Sequence, residues 1–148
     1  MAEMWDEQLM WAKYHYSVAK RLYENFSNYE TKRFLTGCLN EMALSATNFV
    51  NAFLIYSHVN NGVKIPKKSS TRMRIFEKEG GKILGDDVVK NTFDVFNIRR
   101  AQKNSPVELL RGNKILLLDK GEYRALTFER VGGLLNGAGE GLKSFGKI

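Results

Sequence analysis

Two long stretches at the start of the chain repeat apolar residues at helical spacing. The first stripe steps alternately by four and three residues, and the second repeats this stepping after a break at Ser27-Asn28-Tyr29. Because such spacing places side chains on one face of a helix, it predicts helices over about residues 3–27 and 30–58. The short break favours an antiparallel pair, since each helix must bury its stripe. The stripes consist of Trp5, Leu9, Ala12, Tyr16, Ala19, Tyr23 and Phe26, and of Leu35, Leu39, Met42, Ala46, Phe49, Phe53 and Tyr56.

A cationic stretch follows the second helix, between residues 60 and 87. Asn60-Asn61-Gly62 predicts the end of that helix, because these residues favour a C-cap or a turn. We expect a long basic crossover loop with a short helical turn near Met73 to Glu79. The basic side chains crowded here are Lys64, Lys67, Lys68, Arg72, Arg74 and Lys78.

A third helix is predicted over about residues 87–103, ending before Pro106, because the residue before a proline disfavours helical geometry. Asp86 or Asp87 is its expected N-cap, since a carboxylate can accept hydrogen bonds from free amides of the first turn. One line along this helix carries Val89, Phe93, Phe96 and then Arg100.

Two short apolar runs after Pro106 flank a turn that contains Gly121. Residues 114–118 and 123–126 therefore predict a small β-hairpin-like excursion. Thr127 is the expected N-cap of a last helix. The stripe of that helix consists of Phe128, Val131, Leu135, Ala138, Leu142 and Phe145.

The last helix is unusual because it contains five glycines. Each costs up to about 1 kcal/mol in a helix interior relative to alanine, so tertiary packing must hold the helix. Small residues allow close approach of a neighbouring helix or of a second subunit. The glycines are Gly132, Gly133, Gly137, Gly139 and Gly141.

These elements predict an all-α fold: an antiparallel four-helix bundle with a basic crossover loop and a small β-hairpin-like excursion before the last helix. The chain has 148 residues, of which 43% are hydrophobic, and this is typical of one domain with one core. We therefore assign residues 1–148 to a single domain.

The formal charge of +7 favours an acidic partner such as nucleic acid. Residues 64–78 carry six basic side chains against one acidic, and residues 99–103 carry three against none. The excess thus belongs to two segments, as a phosphate-binding surface requires. The single cysteine, Cys38, favours a cytoplasmic protein, and no apolar stretch approaches the length of a membrane span.

The chain has too few histidines and cysteines for most catalytic or metal sites that use them, since it has only His15, His58 and Cys38. Di-iron Glu-x-x-His pairs, zinc motifs and Cys-x-x-Cys pairs do not occur in the sequence. We therefore expect no metal and no cofactor. Cys38 lies beside the core stripe of the second helix, which is typical of a small buried hydrophobe.

The end of the third helix has the most unusual local sequence. Arg99 is followed, after four residues, by Asn104, Ser105 and Pro106. Together with the long helices this resembles the HEPN (higher eukaryotes and prokaryotes nucleotide-binding) family, whose motif is an Arg, four to six residues, and a His. The resemblance implies that Arg99 and Asn104 face the same segment of a second subunit in a homodimer cleft. It also implies ribonuclease ancestry of toxin-antitoxin or defence type, with a nucleotidyltransferase-like antitoxin partner.

Asn104 stands where the family has histidine. An amide can form hydrogen bonds but cannot shuttle a proton at neutral pH, so metal-independent cleavage of RNA is in doubt. The permanently charged Arg99 would still hold a phosphate. In the plainer alternative, the cations near residue 100 are a solvated helix terminus whose dipole favours them.

The preferred hypothesis is a HEPN-like protein that binds RNA or another phosphate-bearing ligand. One alternative is a non-enzymatic homodimeric interaction module that uses the glycine-rich last helix and the aromatic face of the first; a small-molecule pocket in the bundle is a third. The degenerate catalytic positions are Arg99 and Asn104. The candidate phosphate-binding residues are Arg99, Arg100, Lys103, Ser105, Lys64, Lys67, Lys68, Arg72 and Arg74.

Overall fold

A computed structural model describes residues 3–148 and shows five helices and a three-stranded antiparallel sheet. The expected four-helix bundle is therefore wrong, although the chain is mostly helical. The helices are α1 (Asp6–Tyr29), α2 (Lys32–Asn61), α3 (Ser69–Ile83), α4 (Asp86–Asn104) and α5 (Phe128–Gly146). The strands are β1 (Glu108–Arg111), β2 (Lys114–Asp119) and β3 (Glu122–Thr127).

The first two helices form the expected antiparallel pair. The Ser45 hydroxyl donates a hydrogen bond to the Ala12 carbonyl (2.7 Å), and His15 Nδ1 lies 2.6 Å from the Glu41 carboxylate. Residue numbers thus rise along α1 as they fall along α2. Both predicted stripes are confirmed as inward-facing, but α1 continues through the predicted break to Tyr29, and its C-cap Glu30 has a left-handed φ of 47°.

The predicted crossover loop is wrong at residues 69–83, because Ser69–Ile83 forms helix α3, of which the sequence predicted only a short turn near Met73 to Glu79. Phe76 is fully buried and contacts Phe49 and Phe53 edge-on, at centroid distances of 6.1 and 5.7 Å. Burial of a phenylalanine contributes about 1.5–3 kcal/mol, which offsets poor local helix signals. The basic side chains of α3 flank this narrow apolar line and conceal it in the sequence.

The predicted hairpin exists as β2 and β3, but it belongs to a larger sheet. Strand β1 pairs antiparallel with β2 and was not predicted. A two-residue turn at Gly112-Asn113 joins them, and Gly112 has a φ of 62°, which favours glycine. The prediction missed this turn because the apolar run of β1 is only two residues long.

The buried face of α4 differs from the predicted one. Val89 is buried, but Phe93 and Phe96 are half-buried and Arg100 is exposed. The predicted N-cap is also wrong, because Gly85 caps the helix and the two aspartates lie in its first turn. The residues that α4 buries are Val89, Thr92, Val95, Ile98 and Gln102.

Helix α5 begins as predicted, with the Thr127 hydroxyl accepting a hydrogen bond from the Arg130 amide (3.0 Å). Four of its five predicted glycines pack against helices of the same chain, whereas a Cβ at Gly133 would meet no neighbour. A Cβ at Gly139 would lie 2.6 Å from the Tyr16 hydroxyl, and one at Gly137 would overlap with the side chain of Asn91. The space beside Gly137 and Gly139 is therefore filled by side chains of the same chain.

The core has two connected parts, and α1, α2, α4 and α5 run through both. The sheet closes one end of the helix assembly and α3 closes the other. Grooves remain where α4 passes between these two caps. Among residues 3–148, none of the helices combines the length and apolar character that crossing a bilayer requires.

Candidate functional site

A cleft of about 900 Å³ opens between α2, α3 and the C-terminal half of α4. We call it the cationic cleft, because its walls carry four basic side chains and no aspartate or glutamate. One of the four lies on α3 and the other three lie on α4. The basic side chains are Arg72, Arg99, Arg100 and Lys103.

The structure holds Arg99 through neutral amides. Its Nη1 donates to Gln102 Oε1 at 2.9 Å, and its Nη2 donates to Asn40 Oδ1 at 3.0 Å. The buried Gln102 in turn donates from Nε2 to a carboxylate oxygen of Glu108 on β1 (3.1 Å). Helices α2 and α4 and the sheet thus fix the guanidinium while its charge has no direct counter-ion.

Arg72 is held in a parallel way on the other side of the cleft. Its Nη2 donates to Asn51 Oδ1 at 2.6 Å, and the side chain is half-buried. Among residues 3–148, the ion pairs involve neither Arg72 nor Arg99. Each arginine therefore keeps free N–H donors and an uncompensated charge.

This arrangement suits an anion. Several unpaired cations in a groove with low-dielectric walls focus a positive potential and raise the local concentration of anions. The planar fork of arginine matches the geometry of phosphate oxygens, and such charge-assisted hydrogen bonds contribute about 1.5–3 kcal/mol each. The charge and the donor geometry of the cleft therefore suit an anion with several acceptor oxygens.

Two phenylalanines add an apolar wall to the cationic cleft. Phe93 and Phe96 are half-buried and line it beside Met73. Phe76, the one aromatic residue in the basic segment 64–78, is fully buried in the core and is not part of this wall. The helical spacing of Phe93 and Phe96 was visible in the sequence, but it predicted that both face the core. Helix periodicity shows an apolar face and cannot distinguish a core from a groove.

The beginning of α3 also borders the cationic cleft. Ser69 and Ser70 line it, and the N-cap position, Lys68, makes no side-chain capping bond. The first-turn amides of a helix have no intrahelical acceptor and carry partial positive charge. The positive end of α3 therefore adds to the potential of the arginines.

A second groove of about 680 Å³, the mixed-charge cleft, lies between α4, the sheet and the start of α5. Here most charges are already matched. Arg124 pairs with Asp119 at 2.9 Å, and Arg130 pairs with Asp94 at 3.2 Å. An anion would compete with these carboxylates, so this groove is the weaker candidate.

The two clefts share the exposed face of α4. Asn97, Arg100 and Asn104 line both of them, so the helix end forms a ridge between the grooves. Asn104 is exposed in the last turn of α4, and its amide is available to both sides. Ser105 lines neither cleft, because its hydroxyl accepts from the Leu118 amide (2.9 Å) and contacts the backbone of Val107.

The structure thus brings together some of the predicted phosphate-binding residues in one cleft. Arg72 from the first basic segment meets the cations of residues 99–103, which are 27 or more positions away in sequence. Other predicted basic residues are exposed and line neither cleft. These are Lys64, Lys67, Lys68 and Arg74.

Both histidines lie outside these clefts. His15 contacts Glu41 between α1 and α2, and His58 Nδ1 lies 2.9 Å from the Val63 carbonyl at the end of α2. Neither lines the grooves beside Asn104. Within one chain, no imidazole takes the place that the resemblance assigns to the motif histidine.

Cys38 is fully buried, and burial raises the pKa of its thiol to about 12. A thiol with so high a pKa is not a nucleophile at neutral pH. In the described part of the chain, no three His, Cys, Asp or Glu side chains converge as metal ligands would. Arginine and lysine are therefore the groups with which the cationic cleft can neutralise an anion.

Comparison with known proteins adds no assignment to this geometry. No family model, no curated protein and no solved structure matches the chain. The function is therefore argued from the clefts and their side chains.

Proposed function

We propose that the protein binds RNA through its phosphates in the cationic cleft. One observation carries this proposal: two basic segments, distant in sequence, place four cations around one groove whose lining has no carboxylate. The plainer alternative, a solvated helix terminus, accounts for the cations at the end of α4, but it does not account for Arg72, which lies on another helix and lines the same groove. The charge pattern of the sequence and the geometry of the cleft support the same ligand chemistry.

The apolar wall supports RNA over an isolated phosphate. Phe93 and Phe96 offer aromatic surface next to the cations, and unpaired bases stack on such side chains. A ligand with both phosphates and planar rings uses both features of the cleft. Inorganic phosphate uses only the first.

Binding is favoured over cleavage. The residue in the motif position, Asn104, cannot act as a general base, and both histidines lie elsewhere in the chain. We therefore expect RNA to remain intact in the complex. The homodimer, the nucleotidyltransferase-like antitoxin partner, the toxin-antitoxin context and the cytoplasmic location stay predictions that accompany the HEPN resemblance.

The test is fluorescence anisotropy with a labelled single-stranded oligoribonucleotide, with inorganic phosphate as the competitor. We expect Arg72→Ala and Arg99→Ala each to weaken binding by about tenfold or more, since each removes a charge-assisted contact. Arg74→Ala is the matched control. Arg74 is on the same helix as Arg72 and carries the same charge, but it lines neither cleft.

Arg74→Ala should weaken binding by less than about threefold, because the Arg74 side chain is exposed to solvent and makes no contact in the cleft, so its charge is screened. Binding that falls equally in all three variants would show a diffuse charge effect and contradict the cleft. No binding by the wild-type protein at low salt would also contradict it. Inorganic phosphate that competes as well as unlabelled RNA would show that the site takes phosphate alone.

A further inference from the structure

Strand β3 forms an open edge of the sheet. The strand order β1-β2-β3 leaves it with one neighbour, and four consecutive side chains, Glu122 to Ala125, are exposed on both faces. Tyr123 is 65% exposed. Edge strands of natural proteins are usually covered or interrupted, because their free backbone groups invite pairing. This edge contains neither a proline nor a bulge in its register with β2.

The register with β2 fixes which backbone groups point outward. The turn at Lys120-Gly121 joins Asp119 and Glu122, which are directly opposite each other and therefore form the closing hydrogen-bonded pair of a two-residue hairpin. Residues then alternate, so Tyr123 and Ala125 direct their N–H and C=O groups away from β2. Among residues 3–148, these outward groups have no hydrogen-bond partner.

The other edge of the sheet is different. The outward carbonyl of Glu108 on β1 accepts a hydrogen bond from Lys32 Nζ at 3.1 Å. A long cationic side chain thus occupies that edge. No side chain among residues 3–148 bonds in this way to the outward groups of Tyr123 and Ala125 on β3.

We propose that β3 pairs antiparallel with β3 of a second copy of this chain, with Tyr123 on the two-fold axis. This register uses the outward groups: Tyr123 faces the partner's Tyr123 and exchanges two backbone hydrogen bonds with it. Glu122 then lies opposite the partner's Arg124, and the reverse pair follows from the symmetry. These are non-hydrogen-bonded positions, where facing side chains are closest.

Charge complementarity selects the second copy and the register. An axis at Arg124 would place two arginines directly opposite each other, at a non-hydrogen-bonded position where facing side chains are closest. An axis at Ala125 would place Arg124 opposite the buried Leu126 and remove both ion pairs. All three registers use the outward backbone groups of Tyr123 and Ala125, but only the axis at Tyr123 places opposite charges face to face.

Arg124 can form an ion pair with a second carboxylate, that of Glu122 in the other copy, in addition to its pair with Asp119. Its guanidinium is more than half exposed and contacts Asp119 through one nitrogen at 2.9 Å, so other donors are free. In the pair, it would lie between Asp119 of its own chain and the partner's Glu122. Because Arg124 also lines the mixed-charge cleft, the second copy would border that cleft and leave the cationic cleft open.

The test is sedimentation velocity on the full chain over a concentration series. We expect the wild type to dimerise, and Glu122→Lys and Arg124→Glu each to weaken dimerisation by about tenfold or more, because two attractive pairs become repulsive. An equal mixture of the two variants should dimerise again. In that mixed pair, both positions combine opposite charges.

Glu24→Lys is the control, since it makes the same charge change at an exposed position of α1 far from the sheet in sequence. It should dimerise like the wild type. A wild-type protein that stays monomeric at every concentration would overturn the proposal. So would a dimer that Glu122→Lys leaves unchanged, or a mixture of the two variants that stays monomeric although circular dichroism shows both to be folded.

Discussion

Two asparagines of α2 hold the arginines of the cationic cleft. Asn40 accepts from Arg99 and Asn51 accepts from Arg72, and both acceptors are uncharged. A carboxylate in either place would neutralise the arginine and weaken its attraction for phosphate. Neutral acceptors orient the guanidinium and preserve its charge, which is the arrangement that an anion site requires.

The sequence singled out Arg99 as a candidate binding residue, but it did not indicate the residues that hold the Arg99 side chain. Arg99 stands out because it begins a cationic segment at a helix end. Asn40 is 59 positions away, and nothing in its local sequence distinguishes it from a surface asparagine of a helix. Such partners become visible only when the helices are packed.

Cys38 gives a prediction at the same scale. Its pKa is raised from an ordinary 9.0 to about 12 by burial, so the folded chain keeps the proton that the unfolded chain releases. The contribution of Cys38 to the free energy of unfolding is fully present below pH 9 and is lost as the pH rises toward 12. Between these values, this thiol should lower the free energy of unfolding by up to ~1.4 kcal/mol per pH unit.

Urea unfolding of the wild type and of Cys38→Ala over this alkaline range measures the effect. The stability difference between them should be constant below pH 9 and should shrink above it. A difference that is the same at all pH values would show that the Cys38 thiol titrates normally in the folded protein.

At the scale of elements, the sequence predicted best where one apolar stripe dominates. The stripes of α1, α2 and α5 are confirmed, because each repeats over many turns and faces a single core. Only one short turn of helix α3 was predicted, because charged residues surround its short apolar line at Phe76. Strand β1 was missed because only two of its four residues are apolar.

The error in α4 has functional meaning. Its apolar residues occupy more than one face, and the predicted line through Phe93 and Phe96 leads into the cationic cleft instead of the core centre. Periodicity shows that a helix has an apolar face but does not show what covers it. Here the face that is only partly covered belongs to the candidate site.

The glycines of α5 give a prediction for this element. At Gly133 a Cβ meets no neighbour, so Gly133→Ala should stabilise the protein by about 0.5–1 kcal/mol through helix propensity. At Gly137 a Cβ would overlap with Asn91, whose amide donates to the Leu134 carbonyl at 3.1 Å. Gly137→Ala should therefore destabilise by about 1–3 kcal/mol.

Thermal and urea unfolding of the two variants measure these opposite changes. They are matched, since both add one methyl group to the same helix. Equal effects of the two substitutions would contradict the packing of α5 against α4.

At the scale of the whole molecule, the fold places basic side chains from two distant segments around one cleft. The sequence located the excess in residues 64–78 and 99–103 but could not predict that the segments meet. Their meeting depends on α3 being a helix that packs beside α4. The fold brings Arg72 to the cleft and leaves Lys64 and Arg74 outside it, so proximity in sequence is a poor guide to the site.

The molecule also separates its two proposed surfaces. RNA is placed in the cationic cleft between α2, α3 and α4, and a second copy is placed at the β3 edge. The lining of the cationic cleft includes no residue of the sheet. Variants of Glu122 and Arg124 should therefore change dimerisation without removing the contacts that RNA makes at Arg72 and Arg99.

The most direct test of the central claim is an NMR titration of the labelled protein with a single-stranded oligoribonucleotide. We predict that the amide shifts change mainly in residues 47–51, 69–73 and 96–104, which together surround the cationic cleft. The strands should change little. Shift changes that centre on the sheet or on α1, or that spread over all basic residues equally, would contradict the assignment of RNA binding to this cleft.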